Sequence, residues 1–360
     1  MRNLLLTVYC LFGCFAFVQG AAPLTVKVDK RVELLSIACR LADYEEYSNP
    51  KNQLYVADIS AHFEPYKNHP LIEYLRQLKK ENGIGYDAIA FMAVSIGQPP
   101  AFDPIIPFSE KPIPDSRWSA ESATKCVALL QQFYDDAHCA EFFDTQKQRY
   151  EFYERQIAKI YLHNVDLAWM ERWFGTYENA RYNIIVAPGN GTHCYGPKYT
   201  DTRGVTDYYA ITGLFTDKEL DSAAFSIDTP YLIPLIVHEF SHSFVNTVVD
   251  RNLHRLGKYA DQIVRRSPET DTYNHGETLL YESLVRAVVY KYLKAHHASE
   301  ETFKRQQDWD TSQGFPWIQQ LVDYLDQYEQ HRDKYPTFES FAKKLQKFYK
   351  RMAENLEFNL

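Results

Sequence analysis

Apolar positions follow one period for the first half of the chain and then switch. From Val28 to about Gly175 they recur mostly at helical spacing. Arg31 to Leu41 carries Val32, Leu35, Ile37 and Leu41 in this way, with Asp29 placed to cap the helix. Pro70 to Lys80 and Tyr86 to Val94 predict two more helices, parted by Asn82-Gly83-Ile84-Gly85. Proline crowds the stretch Pro99 to Pro114, which predicts an extended loop, and Ser116 to Phe174 predicts long aromatic-rich helices. After Tyr182 the pattern changes. Asn183 to Val186 is a short apolar run stopped by Pro188-Gly189, as in a strand. A loop follows from Asn190 to Pro197, and Tyr208 to Phe215 and Ala223 to Ile227 predict further strands. Helices resume at about Thr229, with breaks expected near Asp250, at Ser267 to Asn274 and at Gln313 to Pro316. The pattern predicts an α+β fold, predominantly helical, with a small sheet ahead of one long helix and a helical N-terminal region.

Composition changes this picture little. Of 360 residues, 45% are hydrophobic and 24% charged, as in an ordinary globular chain with a sizeable core. The net charge of −8, without a basic stripe, argues against a nucleic-acid partner. The first twenty residues read as a secretory signal peptide. Arg2 opens it, Leu4 to Val18 is apolar, and Val18-Gln19-Gly20 places small residues where a signal peptidase cuts. A secreted or periplasmic protein is expected, with a lipid anchor at Cys14 ranked second. No later segment reads as a membrane span, which needs about 20 apolar residues. The expected organisation is a signal peptide (1–20), a helical N-terminal region (21–175), a metal-binding core (176–300) and C-terminal helices packed on it (301–360), or one continuous domain over 21–360. Cys39, Cys126, Cys139 and Cys194 remain after export, and spacing does not choose between buried thiols and any of three complete disulfide pairings. Asn190-Gly191-Thr192 is a glycosylation acceptor in a eukaryotic host.

The chemistry lies in His238-Glu239-Phe240-Ser241-His242. On a helix, residues four apart share a face, so both imidazoles reach one metal ion. Glu239 points about 100° round the helix, where it can take a proton from water at the metal without ligating. Ile233, Val237, Phe240, Phe244 and Val248 make one apolar stripe, while Leu235, Val245 and Val249 flank the histidines on the other side. A helix apolar nearly all round is buried on both sides. The bland alternative is a pair of core histidines, which leaves a buried Glu239 needing its own partner.

A catalytic zinc takes a third protein ligand. The positions three and six residues after His242 hold Val245 and Val248, so no third histidine follows in the motif. Gly276 to Lys294 is a strong helix pattern with Glu282 in its middle, on a stripe with Thr278, Val285, Val289 and Leu293. A carboxylate in that setting needs a positive partner, and zinc or Arg286 four residues on supplies one. Glu277 is the rival, but its place near the helix start has an electrostatic reason without metal.

This layout resembles the gluzincin metallopeptidases over roughly Asn183 to Leu293, with Tyr281 standing where an asparagine usually precedes the third-ligand glutamate. The resemblance implies a zincin-like core, Zn2+ as cofactor, Glu239 as general base and a peptide or protein substrate lying along the strands before the motif. A wider similarity is to a family of secreted bacterial proteins known only as a domain of unknown function. It rests on VELLSIACRLADYEEY near the start, the Tyr195-Gly196-Pro197 loop, HEFSHSFVN and YESLVRA. An oxyanion stabiliser is required as well. Tyr195 leads on its Gly-rich loop, ahead of His193, His275 and Tyr281, while Asn246 either lines the site or ends the helix. His296-His297 and the charged stretch Asp326 to Lys334 read as structural, and Phe338, Phe341, Leu345 and Phe348 as packing. Two readings compete with the enzyme: a zincin fold that no longer turns over, and a metal-free helical module binding protein or glycan.

Overall fold

Two eight-residue strands with almost no exposed positions form the centre of the molecule. The computed structural model describes residues 24–48, 53–162, 164–175, 179–191, 193–214, 229–266 and 275–354. Its strands are β1 (Leu24–Lys27), β2 (Ala180–Ala187), β3 (Cys194–Tyr195), β4 (Lys198–Thr200) and β5 (Thr206–Gly213). β1 and β5 lie parallel to β2 on either side, and β3 and β4 run antiparallel along the outer edge of β5. Parallel strands covered on both faces read as continuous apolar runs, which is how β2 and β5 read.

Alternation divides their side chains between two cores. Ile185, Ala187, Tyr195, Tyr209 and Ile211 face the first. It is filled by α1 (Lys30–Leu41), α2 (Gln53–Phe63), α3 (Pro70–Asn82), α4 (Asp87–Ser95), α5 (Ala120–Asp136) and the start of α6 (Cys139–Tyr161). Tyr182, Ile184, Val186, Tyr208 and Ala210 face the second. There they meet the end of α6, then α7 (Leu167–Phe174), α8 (Thr229–Arg266), α9 (Gly276–Ala295), α11 (Ile318–Gln330) and α12 (Ala342–Glu354), while α10 (Glu300–Ser312) lies against α9. The fold is α+β and predominantly helical, with a small mixed sheet.

The Asp29 carboxylate accepts the Arg31 N–H at 3.0 Å and caps α1, as expected. Phe338, Phe341, Leu345 and Phe348 are core residues, and the chain turns between α10 and α11 where the 313–316 break was expected. Other expectations need correction. No break occurs at Asp250: α8 runs through it for 38 residues, about 57 Å. Val249, Leu256, Ala260 and Ile263 continue its buried face, and Asp250 only projects outward. Strand β3 forms inside the expected loop and β4 directly after it, because the outer edge of β5 offers them partners. Asp326 and Glu329 are not purely a solvated face, since both pair with Lys291, 2% exposed. Asn190 is 1% exposed and its amide donates to the His193 carbonyl at 2.7 Å, so it presents no acceptor for a glycan in the folded chain. Cys39, Cys126, Cys139 and Cys194 are all free thiols. The expected signal peptide, the strand 223–227, Thr192 and the break 267–274 lie outside the described residues. Among the described residues, Leu232–Arg265 is long and apolar enough to cross a membrane by composition, and 67% of its apolar window is buried inside the fold.

Candidate metal centre

Helix α8 sets Phe240, Phe244 and Val248 against the second face of the sheet. This turns His238 and His242, one helical turn apart, toward α9. Leu280 and Leu284 bury in the second core and Glu282, between them, meets both imidazoles. His238 Nε2 and His242 Nε2 are 3.2 Å apart. Glu282 Oε2 lies 3.7 Å from His238 Nε2, and Oε1 lies 3.4 Å from His242 Nε2. Four-coordinate zinc with bonds of about 2.0–2.1 Å separates its ligand atoms by about 3.3–3.4 Å. The edge between the two imidazoles and the edge from Oε1 to His242 match that spacing, while the 3.7 Å edge to His238 runs from the other oxygen, Oε2. Among the described residues this triangle is the one group of three or more histidine, cysteine and acidic side chains that can hold a metal. Glu277 does not join it. That carboxylate is exposed and accepts the Tyr281 hydroxyl at 2.6 Å.

Neighbours fix how the triangle presents itself. Asn246 Oδ1 sits 3.2 Å from His242 Nδ1, so Nδ1–H donates to the amide and Nε2 is the nitrogen that can turn a lone pair to an ion once its own proton has left. Arg286 donates to Glu282 Oε2 at 3.0 Å. Glu239 is 5% exposed, one position round α8. Gly196, in the sheet edge between β3 and β4, rests on its backbone: a Cβ there would lie 2.0 Å from the Glu239 carbonyl oxygen and 3.2 Å from His242 Cβ.

The ionisable groups are strongly displaced. Burial pushes Glu239 up to about 8, against the pull of His242 and Arg286. Burial also pushes His238 down to about 3. His242 loses solvation equally, yet its hydrogen bond and charge contact with Glu282 outweigh this and raise it to about 9. Burial works to raise Glu282, but His242, His238 and Arg286 together hold it far below the usual carboxylate range. Without an ion, this centre keeps one proton on His242 and one on Glu239 near neutrality.

The expected oxyanion groups are not assembled around the triangle. Tyr195 pairs in register with Ile211, and both side chains enter the first core, across the sheet from α8. His193 stands beside Tyr195 and Tyr86. His275 is exposed before the first residue of α9, and the Tyr281 hydroxyl bonds Asp250 and Glu277. Three residues near the site were not singled out from sequence: Cys194, Gly196 and Asp310. Cys194 alternates with Tyr195 and so faces the α8 side, where burial first and the Glu239 carboxylate second raise its thiol. The Tyr195-Gly196-Pro197 loop was noticed, but the reason for its glycine is a contact 43 residues away in the chain, between positions 196 and 239.

Residues 118–348 match the model of DUF4932, described as a domain of unknown function, and the chain belongs to that family. The matched span runs from just before α5 into α12 and includes the whole triangle. No curated protein and no solved structure matches the chain.

Proposed function

We propose, for a member of this family carrying this triangle, that the protein is an exported zinc-dependent hydrolase cleaving peptide bonds. The observation that carries the reading is the closure of His238, His242 and Glu282 to within 4.8 Å of one another, with Glu239 beside them. Charge supports it. With Glu239 ionised and His242 neutral, three shielded carboxylates (Glu239, Glu282, Asp310) face one guanidinium (Arg286), and a dication balances the two remaining negative charges. The pairing of an H-E-x-x-H helix with a glutamate from the next helix is the gluzincin layout, so the core is read as zincin-like. Carboxylate and imidazole donors suit zinc.

His238, His242 and Glu282 would hold the ion. Bound zinc supplies Lewis acidity, which lowers the pKa of a water toward about 7 and polarises a carbonyl. Glu239 would take a proton from the attacking water and return it to the leaving amine nitrogen as the C–N bond breaks. Oxygen adds to carbon, the amine departs neutral, and the products are an acid and an amine. The edge made by β3 and β4, held on the Glu239 backbone at Gly196, would align an extended substrate by main-chain hydrogen bonds. The signal peptide expected over residues 1–20 supports an activity outside the cytoplasm.

Elemental analysis of the purified mature chain tests the reading. The expected result is one zinc per chain, lost in His238→Ala, weakened in Glu282→Ala and retained in Glu277→Ala. Glu239→Gln should keep zinc and lose about 10²–10⁴-fold in peptide hydrolysis. Wild-type protein that takes up no zinc on reconstitution sinks the proposal and favours a helical binding module. Zinc without turnover on a peptide library favours a silent zincin.

A further inference from the structure

Helix α10 buries the wrong kind of residue for a packing element. Of its 13 residues Asp310 alone is fully buried, while the adjoining Trp309 is 49% exposed. Phe303 packs partly buried against the core, yet the larger Trp309 indole stays out and an acid goes in. Asp310 instead points at Arg286, itself 3% exposed, whose guanidinium lies over the Phe315 ring at 4.8 Å. One terminal nitrogen of Arg286 donates to Asp310 Oδ1 and the other donates to Glu282 Oε2 at 3.0 Å. Gln306 Nε2, one turn back on α10, reaches both Asp310 oxygens at 3.2 and 3.1 Å.

We propose that Asp310 is a positioning residue for Glu282, acting through Arg286. Guanidinium groups favour a two-pronged grip on a single carboxylate. A bare Arg286 would take both oxygens of Glu282, its neighbour one helical turn away, and compete with an ion for Oε1. Asp310 occupies one prong. The other holds Oε2, so Oε1 remains turned to His242, 3.4 Å away. The arrangement both restrains the carboxylate and keeps an oxygen of it available. Such supporting contacts set metal affinity within about 10–100-fold. The inference rests on the reading that His238, His242 and Glu282 hold zinc.

Zinc affinity of the full mature chain, measured by competition with a chromophoric chelator, tests it. Asp310→Asn keeps the shape and removes the charge, and should weaken zinc binding about 10–100-fold. Adding Arg286→Met to that variant should recover most of the loss, because the competitor for Glu282 is gone. A purely structural Asp310 predicts the opposite, a double variant at least as weak as the single one, and that result overturns the proposal. Unchanged affinity in Asp310→Asn overturns it too. If circular dichroism shows Asp310→Asn unfolded, Gln306→Leu at the half-buried neighbour carries the test, with a smaller loss expected and no loss counting against it. Wild-type protein that binds no zinc fails the site reading first, whereas zinc-binding wild type with indifferent variants fails this inference alone.

Discussion

Glu33 shows what burial does to one carboxyl group. It is fully enclosed on α1, accepts the Tyr55 hydroxyl at 2.7 Å and the Gly189 N–H at 3.1 Å, and has no basic partner among these contacts. Desolvation outweighs both hydrogen bonds and pushes it up to about 8, from 4.5. Between those values the unfolded chain has released this proton and the folded chain still holds it. The folded state then binds more protons, so stability falls as pH rises through this window, by up to about 1.4 kcal/mol per unit. Glu33→Gln should therefore gain on wild type from pH 5 to pH 8 in urea unfolding of ion-free protein. A constant difference between the two across that range would contradict it. His242 gives a second pH signature. Its proton, held up to about 9 by Glu282, must leave before an ion binds. Zinc affinity should rise about tenfold per pH unit up to pH 9, and more steeply below pH 8, where Glu239 is also protonated. Flat affinity by isothermal titration would show that neither proton is displaced.

At the level of elements, the decisive contact is between the sheet edge and α8. The Gly196 carbonyl accepts from Ser243 Oγ at 3.2 Å, and its missing side chain lets the strand edge rest on the turn that carries Glu239. Gly196→Ala puts a methyl where a carbonyl oxygen stands. It should destabilise the fold by about 1–3 kcal/mol, as overpacking does, and lower peptide hydrolysis with zinc stoichiometry intact. A variant with wild-type melting and turnover would mean the edge has room to move. The helices themselves were largely readable: α1, α3 and α4 follow apolar spacing, caps and turn residues, and the turn between α10 and α11 falls at the expected break. The elements misread are those whose reason lies elsewhere in the chain. β3 and β4, two and three residues long, exist because β5 offers a free edge. α8 runs past Asp250 because partners cover its other faces.

Across the whole molecule, an ion would tie α8 to α9, the two helices that share the largest contact in the second core. Zinc at 100 times its dissociation constant should stabilise the protein by about 2.7 kcal/mol, seen as a rise in melting temperature that His238→Ala abolishes. A local rule was enough to pair His238 with His242 and set Glu239 beside them, because helical periodicity acts over four residues and needs no partner. For the third ligand the sequence favours Glu282, on its apolar stripe, over the rival Glu277 near the helix start, but brings neither to the histidines. Only the packing of α9 on α8 separates them, turning one carboxylate inward and leaving the other in solvent with Tyr281. Strand alternation likewise makes Cys194 and Tyr195 face opposite ways, but which of them faces α8 depends on the register with Thr212 and Ile211. Asp310 lies 24 residues from Arg286 along the chain and carries no motif. Spacing in a sequence reports neighbours along one element, whereas the groups that surround a site are brought there by burial of surfaces from several elements at once, and that is settled only when the chain has folded.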